Sequence, residues 1–398
     1  MTADDVTVDA ASPLVRRNIR LLSGFSFCND FRIYAPIMVV YFAQVTGSLA
    51  LATLLFSIAK IAWSAFEIPT GVFSDFLGRK LTIVLGQAAS VGSIALYAFG
   101  HDFAMLAAGA VMEGLAFSLF SGNNDAFLYD TLKSERIEAQ FAEWQGRVSA
   151  MFQLALAVSA AVAAVGLGWL SLRWMFVLTL GPAAAGLVFA ALLDEPRRHS
   201  DAIPTNVFAH LREAVAAFGR DARLRQLSLA SMLAFALGEA KHMFHPVFFA
   251  LFWPAWALGV AGVAVHALAS FGFRIGGWAV RRFGELRVLL GGSGASIAIG
   301  VGAVLVPTVA SPGIVALSSI FFGPANVAQS SLMQRAFTDA QRATMASLIS
   351  LGGNLLFAVA VFAIGAAADR IGARFALLGA EILTIPVTLM YWRLYRSA

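Results

Sequence analysis

Long apolar stretches follow one another along almost the whole chain, separated only by short segments that carry charges, glycine or proline. A helix needs about 20 apolar residues to cross the hydrocarbon core of a bilayer. Inside that core, the backbone N–H and C=O groups must be paired within the helix itself. The pattern therefore predicts twelve membrane-spanning helices, at residues 20–43, 48–74, 81–99, 103–130, 142–166, 172–193, 224–252, 255–281, 286–307, 311–336, 343–367 and 374–393.

The composition supports a lipid bilayer as the main solvent of this 398-residue chain. Apolar residues make up 59% and charged residues 13% of the sequence, and the mean hydropathy is +0.77. Twelve spans with short connections leave no room for a soluble catalytic domain. The net charge of +5 is dispersed among apolar runs, so we expect no nucleic-acid partner. Cys28 is the only cysteine, which excludes an intrachain disulfide.

The basic residues predict the orientation of the helices in the membrane. If both termini are cytoplasmic, most of the 28 Lys and Arg residues fall in cytoplasmic segments, and only Arg173, Arg370 and Arg374 fall in external segments. Cytoplasmic loops of membrane proteins carry this excess of positive charge. No Asn-x-Ser/Thr sequence occurs. We therefore expect a multi-pass protein of a bacterial cytoplasmic (inner) membrane with both termini inside.

One short segment between predicted helices recurs in altered form. It runs from Gly71 to Lys80 (GVFSDFLGRK), and related segments start at Gly277 (GWAVRRFG) and Gly365 (GAAADRIG). In each copy a second glycine follows seven residues after the first. Glycine tolerates the left-handed backbone that ends a helix sharply. The copies therefore predict helices that stop at a membrane surface and turn back.

The chain divides into two halves at its longest polar interval, residues 194–222. The predicted domains are an N-terminal six-helix bundle at 1–193, a central cytoplasmic loop at 194–222 and a C-terminal six-helix bundle at 223–398. Residues 207–218 could form an amphipathic helix on the membrane surface or a plain linker. The halves also share an acid-x-base triplet, Asp30-Phe-Arg32 in helix 1 and Glu239-Ala-Lys241 in helix 7.

These residues resemble the major facilitator superfamily of secondary transporters. The segment from Gly71 to Lys80 matches the family's loop motif after helix 2, G-x-x-x-D-x-x-G-R-K, at every defining position. The resemblance covers essentially the whole chain and implies an all-α membrane protein with twelve transmembrane helices in two pseudo-symmetric six-helix bundles. Residues 121–132 and 341–348 resemble bacterial members that are grouped with drug exporters.

The resemblance also implies a gate at the cytoplasmic surface. In the family, the residues that match Asp75, Arg79 and Lys80 latch the two bundles in one conformation, often with an acid at the end of helix 4. Here that acid is Asp130, and the motif glycines are Gly71 and Gly78. A salt-bridge latch biases an equilibrium between two states. The alternative is that these charges serve only to orient the chain in the membrane.

Charged residues inside the predicted spans are the candidate binding and proton sites, because a charge in the bilayer usually faces a water-filled cavity or another charge. The acids are Asp30, Glu67, Glu113, Asp125, Glu239 and Glu381, and the bases are Arg32, Lys60, Arg147, Lys241 and Arg274. By residue count, Asp30, Glu113 and Glu239 lie near the midplane of the bilayer. In the family, their helices line the central cavity. The alternative is a set of structural ion pairs.

The two triplets have a predicted geometry. Residues two apart point to nearly opposite sides of a helix. One of Asp30 and Arg32, and one of Glu239 and Lys241, could thus face the cavity while the other pairs with a neighbouring helix. Burial disfavours the charged form of a carboxyl group, whereas a nearby cation favours it. Such a carboxyl could therefore take up and release a proton during transport.

Helix 7 also carries His242 and His245, three and six residues after Glu239. The three residues lie along one face of the helix and are types that bind zinc. We expect these polar groups to bind a hydrophilic substrate or to move protons instead, and we expect no bound metal. No cofactor is expected, and a proton gradient is the expected energy source. We also expect a monomer that binds a small-molecule substrate within the lipid bilayer.

Three functions remain open on the sequence alone. The first is proton-coupled efflux of small amphipathic compounds by antiport, as in multidrug resistance. The second is transport of one polar or anionic solute, such as a siderophore or metal chelate, in either direction. The third is a non-transporting receptor on the same fold. Two features of drug–proton antiporters are missing, since Ala110 replaces an arginine of helix 4 and residues 148–166 contain no proline. An enzyme is not expected, because no hydrolase or metalloprotease motif occurs at a helix centre.

Overall fold

The computed structural model describes residues 13–196, 222–336 and 342–396, and these ranges are almost entirely helical. We number their α-helices in chain order: α1 Pro13–Asp30, α2 Met38–Thr46, α3 Leu49–Leu77, α4 Arg79–Phe99, α5 Phe103–Phe120, α6 Asn123–Lys133, α7 Phe141–Gly166, α8 Leu172–Leu192, α9 Ala222–Phe249, α10 Ala255–Phe283, α11 Glu285–Leu305, α12 Ser311–Leu317, α13 Phe322–Ala336, α14 Arg342–Ile371 and α15 Ala373–Arg396. Short 3-10 helices lie at Ala35–Ile37, Glu138–Gln140 and Ser318–Phe321.

The helices agree with the twelve predicted spans. Nine spans are single helices, whereas predicted helices 1, 4 and 10 are each built from two: α1 with α2, α5 with α6, and α12 with α13. In the described residues, ten stretches are long and apolar enough to cross a membrane. The other two predicted spans are helices 1 and 7, which carry the charged triplets. Charged residues at the centre of a span lower its mean hydropathy, which explains why these two spans are not among the ten. Charged residues in that position are usually functional.

Predicted helix 1 is interrupted just after Asp30, and Pro36 gives the physical reason. In a continuous helix, the backbone N–H of residue 36 would bond to the C=O of Arg32. Proline has no N–H, and its ring collides with that carbonyl. The chain instead makes a turn, in which Arg32 N donates to Asp30 O at 2.9 Å and Ala35 N donates to Arg32 O at 3.1 Å. Arg32 therefore lies outside regular helix.

The repeated glycine segments adopt the predicted sharp turns. Gly78, Gly284 and Gly372, the second glycines of the three copies, have φ of +106°, +82° and +84°. Each lies between two consecutive helices, at the α3–α4, α10–α11 and α14–α15 junctions. An L-residue with a side chain rarely adopts this backbone, so these junctions require glycine.

The chain forms two compact units. Unit 1 contains Met1–Ala35 and Ile58–Ala202, and unit 2 contains Pro36–Ser57 and Ile203–Ala398. The sequence-based division at residue 193 assigns residues 36–57 to the first bundle, whereas they pack with unit 2. Residues 197–221 lie outside the described residues, and so does the possible amphipathic helix at 207–218.

Each unit has its own packed core. In unit 1, apolar residues of α1 pack on α6, α7 and α8, with Leu22, Phe25, Phe127, Leu128 and Trp144 among the buried side chains. In unit 2, residues of α9, α11, α13 and α15 share one core, which includes Leu227, Leu289, Ala328, Val387 and Tyr391. Many other large apolar side chains are exposed, for example Trp169, Val359 and Leu383. Exposed apolar surface of this extent fits contact with lipid.

Candidate functional site

Three charged side chains meet in unit 1 beside the interruption of helix 1. The Arg32 Nη2 atom lies 3.7 Å from Asp30 Oδ1, and its Nη1 atom lies 3.9 Å from Glu113 Oε1 of α5. All three side chains are largely buried, with 15–17% exposed. A single guanidinium thus lies between two carboxylates that sequence analysis had selected separately.

Neighbouring polar groups orient this cluster. The Tyr97 hydroxyl of α4 donates to Glu113 Oε2 at 2.8 Å. Asn29 Nδ2 donates to Asp30 Oδ1 at 3.2 Å, and Arg32 Nε donates to the Asn29 carbonyl at 3.3 Å. Hydrogen bonds of this kind satisfy buried polar groups and hold them in one geometry. The cluster of Asp30, Arg32, Glu113 and Tyr97 is hereafter the charged cluster.

The predicted geometry of the first triplet was wrong. We expected Asp30 and Arg32 on opposite sides of one helix, but they lie close enough to attract each other. The reason is that the helix ends at Asp30, so the two residues are related by a turn and not by helical rotation. Pro36, four residues after Arg32, was the sequence signal for this interruption.

Aromatic rings connect the charged cluster to a second cation. The Arg32 Cζ atom lies 4.9 Å from the centre of the Phe117 ring. Phe117 stacks on Trp63 of α3 with ring centres 5.3 Å apart, and Lys60 Nζ lies 4.4 Å from the centre of a Trp63 ring. Such cation–ring contacts are attractive, the more so away from water. Arg32, Phe117, Trp63 and Lys60 are hereafter the aromatic row.

A small cavity borders both groups. Its lining residues come from α4, α5 and the interruption of helix 1, and include Arg32, Tyr34, Ser90, Ser93, Glu113 and Phe117. Lys60 also attracts Glu113 electrostatically, so the carboxylate lies under the influence of two cations. The lining combines positive charge, a carboxylate and aromatic surface, and the cavity volume of about 10 Å³ is close to the space that one water molecule needs.

In unit 2, the second triplet shows the arrangement predicted from helical geometry. Lys241 Nζ of α9 donates to Glu381 Oε2 of α15 at 2.7 Å, and both side chains are buried. Glu239 has no hydrogen-bond or ion-pair partner within the described parts of the chain. Lys241 thus pairs with a neighbouring helix, as one member of the triplet was expected to do, while Glu239 stays available.

Three histidines lie together in unit 2. The ring centres of His242 and His245 are 6.4 Å apart, and those of His242 and His266 are also 6.4 Å apart. Sequence analysis missed His266 of α10, although a histidine at the centre of an apolar helix was a sufficient signal. Across residues 13–196, 222–336 and 342–396, no group of three His, Cys, Asp or Glu residues is placed to hold a metal ion.

The segment from Gly71 to Lys80 forms a polar network within unit 1. Arg79 Nε lies 3.6 Å from Asp130 Oδ2, the acid that the family resemblance selected. Arg79 Nη1 also donates to Ser74 Oγ at 2.8 Å, and Ser74 Oγ donates to Asn123 Oδ1 at 2.6 Å. The network ties the segment between α3 and α4 to α6. The side chain of Asp75 lies outside the described residues.

Sequence analysis also missed Glu195 of this network. Its carboxylate accepts hydrogen bonds from the backbone N–H groups of Arg79 and Lys80, both at 2.8 Å. These N–H groups belong to the first turn of α4, where the helix itself supplies no acceptor for them, and they attract a negative charge. A side chain on Gly78 would bring its Cβ within 3.0 Å of Glu195 Oε1. Glycine at position 78 is therefore needed both for the backbone of the turn and for the close approach of Glu195.

The long apolar helices of the described residues define a multi-pass membrane protein. The family that its sequence matches is one of transporters and not of enzymes. The chain belongs to the Major Facilitator Superfamily, whose family model matches residues 20–361. An 86-residue stretch is 34% identical to an uncharacterized MFS-type transporter of Methanocaldococcus jannaschii. That match spans only 21% of this chain and 21% of the relative.

Solved structures of the same fold align with nearly the whole chain. A mutant form of the nucleoside transporter NupG is 14% identical, and the alignment covers 96% of this chain and 100% of that one with a TM-score of 0.81. A bacterial homolog of the human lysosomal transporter Spinster is 17% identical, with a TM-score of 0.75 over 97% and 98% of the chains. A D-xylose–proton symporter is 14% identical, with a TM-score of 0.72 over 95% and 97%. The fold is therefore twelve helices in two six-helix bundles.

Proposed function

We propose that this protein is a proton-coupled secondary transporter of small amphipathic compounds, and that Glu113 is the carboxyl group that binds and releases the proton. The observation that carries the proposal is the sharing of Arg32 between Asp30 and Glu113. Arg32 by itself cannot fully neutralise two carboxylates, so the charge of Glu113 depends on Lys60 as well. A rearrangement that moves either cation away would favour protonation of Glu113. A second negative charge in a buried site is costly unless it gains a proton or a cation.

The charged cluster has a chemical route to this exchange. When Glu113 is ionised, Arg32 and the Tyr97 hydroxyl stabilise its charge. When Glu113 is protonated, Arg32 keeps Asp30 as its partner and the pair is neutral. Proton uptake therefore changes the partners of Arg32 without leaving an isolated buried charge. In an alternating-access cycle, that change would favour one of two conformations.

Direction, orientation and gating are further parts of the proposal. Efflux by antiport is supported by the resemblance of residues 121–132 to drug exporters. A bacterial inner membrane with both termini cytoplasmic is supported by the distribution of basic residues. The contact of Arg79 with Asp130 supports a cytoplasmic gate built on the motif that also contains Asp75 and Lys80. We propose a monomer that needs a proton gradient and no cofactor.

A second candidate function is transport of one polar or anionic solute. It is favoured by the two cations of the aromatic row, Arg32 and Lys60, which lie over aromatic rings. The Arg32 guanidinium lies 3.7 and 3.9 Å from its two carboxylates, so an anionic ligand could approach it more closely than they do. In this case the site would select the charge of its substrate and not only its apolar surface.

Reconstituted vesicles with a pH-sensitive dye inside test the proposal. An imposed gradient of ethidium, an amphipathic cation, or of naphthoate, an amphipathic anion, should drive proton movement across vesicles that contain the wild-type protein. Glu113→Gln should abolish proton movement while unlabelled probe still exchanges for labelled probe. Glu143→Gln is the matched control, because that carboxylate forms an exposed ion pair with Arg147. Proton movement by Glu113→Gln at the wild-type rate would refute the role of Glu113.

A further inference from the structure

We infer that the small cavity beside Arg32 binds one water molecule, and that this water bridges Arg32 to Glu113 and exchanges the transported proton with Glu113. The inference deepens the proposed function and rests on the proton role proposed there for Glu113. It assigns a ligand to the cavity and adds Ser90, a residue of α4 that lines it, as the residue that positions this ligand.

The first observation is the size and the lining of the cavity. Its volume is about 10 Å³, which is close to the space that one water molecule needs. A buried water molecule also needs about two to four polar partners. The polar side chains that line the cavity include Arg32, Ser90, Ser93 and Glu113. The cavity therefore offers both the room and the partners for one water molecule.

The second observation is the gap between Arg32 and Glu113. Arg32 Nη1 lies 3.9 Å from Glu113 Oε1, whereas a charge-assisted hydrogen bond of this kind is usually about 2.7–2.9 Å long. Polar groups more than about 3.5 Å apart are often joined by a water molecule. Glu113 Oε2 accepts a hydrogen bond from Tyr97, so Oε1 is the oxygen to which the water donates. The same water accepts a hydrogen bond from Arg32.

The third observation is the hydroxyl group of Ser90. Buried hydroxyl groups elsewhere in unit 1 bond to their own helix, as Thr131 Oγ1 does to Phe127 O and Thr179 Oγ1 does to Met175 O, both at 2.7 Å. Ser90 is only 8% exposed and makes no hydrogen bond within the described parts of the chain. A buried polar group without a partner costs free energy. A water molecule in the cavity supplies the partner that Ser90 lacks.

Ser93 supports the same site from the next turn of α4. Residues three apart lie on one face of a helix, and both serines line the cavity. Ser93 Oγ is buried and makes no well-formed hydrogen bond in the described residues, although the Tyr97 hydroxyl lies beside it. One face of α4 thus presents two hydroxyl groups to the cavity that borders Glu113.

The water is also the group best suited to exchange a proton with Glu113. The charged and titratable groups that act on Glu113 or on its partner Arg32 are Asp30, Arg32, Tyr34, Lys60 and Tyr97. Arginine, lysine and tyrosine side chains hold their protons more tightly than a carboxyl group does. Asp30 contacts the other guanidinium nitrogen, Nη2, and is not among the described residues that line the cavity. A proton can therefore pass through the water while Arg32 and Tyr97 keep their own.

The transfer step conserves atoms and charge at the water. One O–H bond of the water breaks as Glu113 Oε1 forms its O–H bond. The water accepts in the same step a proton from the aqueous phase, which the proposed gradient supplies. The water therefore stays neutral, and no additional cation is left beside Arg32. Release of the proton from Glu113 follows the same path in reverse.

A crystal structure of the full chain, at a resolution that shows ordered water, tests the water site directly. We expect one water molecule in the wild-type protein within about 2.5–3.0 Å of Ser90 Oγ and of Glu113 Oε1. We expect this water to be missing from Ser90→Val, because the added methyl groups take up the cavity. A cavity without water density in the wild-type protein, or a water that remains in Ser90→Val, would overturn the inference.

The vesicle assay with a pH-sensitive dye tests the role of Ser90 in proton movement. Ser90→Ala removes one partner of the water without adding volume, and we expect about 10-fold slower proton movement, the worth of one hydrogen bond. Exchange of labelled for unlabelled probe should keep its wild-type rate. Ser159→Ala should keep both rates and is the matched control, since Ser159 is also buried but donates to Leu156 O of its own helix at 3.1 Å. Wild-type proton movement by Ser90→Ala, or an equal loss of probe exchange, would contradict the positioning role of Ser90.

The two experiments separate the water site from the proton role of Glu113. If the water is present in the wild-type protein but Glu113→Gln still moves protons in vesicles, the proton role of Glu113 is wrong and the water site stands. If Glu113→Gln loses proton movement while the wild-type cavity shows no water density, proton coupling at Glu113 stands and the water site is wrong.

Discussion

The carboxylate of Asp369 accepts a hydrogen bond from the backbone N–H of Leu49, 320 residues earlier in the chain, at 2.8 Å. Its other oxygen accepts from Ala50 N at 3.0 Å and from Ser48 Oγ at 2.5 Å. Asp369 belongs to the third copy of the glycine motif, and Leu49 begins α3. A side chain from the end of α14 thus caps the first turn of α3, within unit 2.

Removal of this distant cap should loosen the start of α3. We expect Asp369→Ala to lower the free energy of unfolding by about 0.5–2 kcal/mol, the usual worth of a helix cap. Labelling of Ala50→Cys with a thiol reagent, in a Cys28→Ser background, should become faster. The control is Asp102→Ala, which removes the cap of α5 at Met105 N but leaves α3 unchanged. Unchanged labelling in Asp369→Ala would show that the cap does not hold α3.

Gly365, the first glycine of the same motif copy, lets α14 and α3 approach closely. A Cβ atom on Gly365 would collide with Thr53 Oγ1 and the Leu49 carbonyl. We expect Gly365→Ala to lower the free energy of unfolding by about 1–3 kcal/mol, because the helices must separate to admit a methyl group. Gly379→Ala on α15 is the control, since nothing lies within 4 Å of its Cβ position. Similar melting temperatures of the two variants would contradict the prediction.

The buried pair of Lys241 and Glu381 should behave as a unit in a double-mutant cycle. Loss of one partner leaves the other charge buried and unpaired, which typically costs about 3–5 kcal/mol. We therefore expect Lys241→Met and Glu381→Leu each to lower the melting temperature strongly, and the double variant to regain most of the loss. Additive effects of the two substitutions would mean that the pair contributes no coupling free energy.

Glu195 should stabilise unit 1 more than an ordinary surface carboxylate does. It accepts hydrogen bonds from two N–H groups at the start of α4 that have no acceptor within the helix, so Glu195→Ala should lower the free energy of unfolding by about 1 kcal/mol. Glu143→Ala, which removes an exposed ion pair on one helix, should cost only about 0.3–0.5 kcal/mol. A larger effect of Glu143→Ala would contradict the capping role of Glu195.

Much of the fold followed from local features of the sequence. Twelve apolar stretches predicted the membrane spans, most of them within a few residues, because the length of a membrane span is set by the thickness of the bilayer. The first was the exception, since α1 begins at Pro13 and not at residue 20. The turns at Gly78, Gly284 and Gly372 were predicted from glycine spacing and have the positive φ that requires glycine. The interruption at Arg32 was missed, although Pro36 indicated it, because the apolar pattern alone continues across it.

The candidate site was predicted only as a set of residues and not as a set of contacts. Asp30, Arg32 and Glu113 were selected because charge is rare in a membrane span. The contacts of both carboxylates with the Arg32 guanidinium depend on how α5 packs against the interruption of helix 1. Residue spacing along a single helix does not predict such packing between helices. Trp63, Phe117 and Lys60 became part of the site only through ring contacts between α3, α5 and Arg32.

The sequence by itself determined the membrane class, the twelve membrane spans, the glycine turns and the family. These properties depend on interactions between residues that are near in the chain, or between each residue and lipid. The tertiary structure alone decided which charges meet. Lys241 pairs with Glu381 at a separation of 140 residues, and Asp369 caps α3 at a separation of 320. Such contacts depend on which helices pack together, and an apolar helix has nearly the same sequence pattern whichever neighbour it packs against.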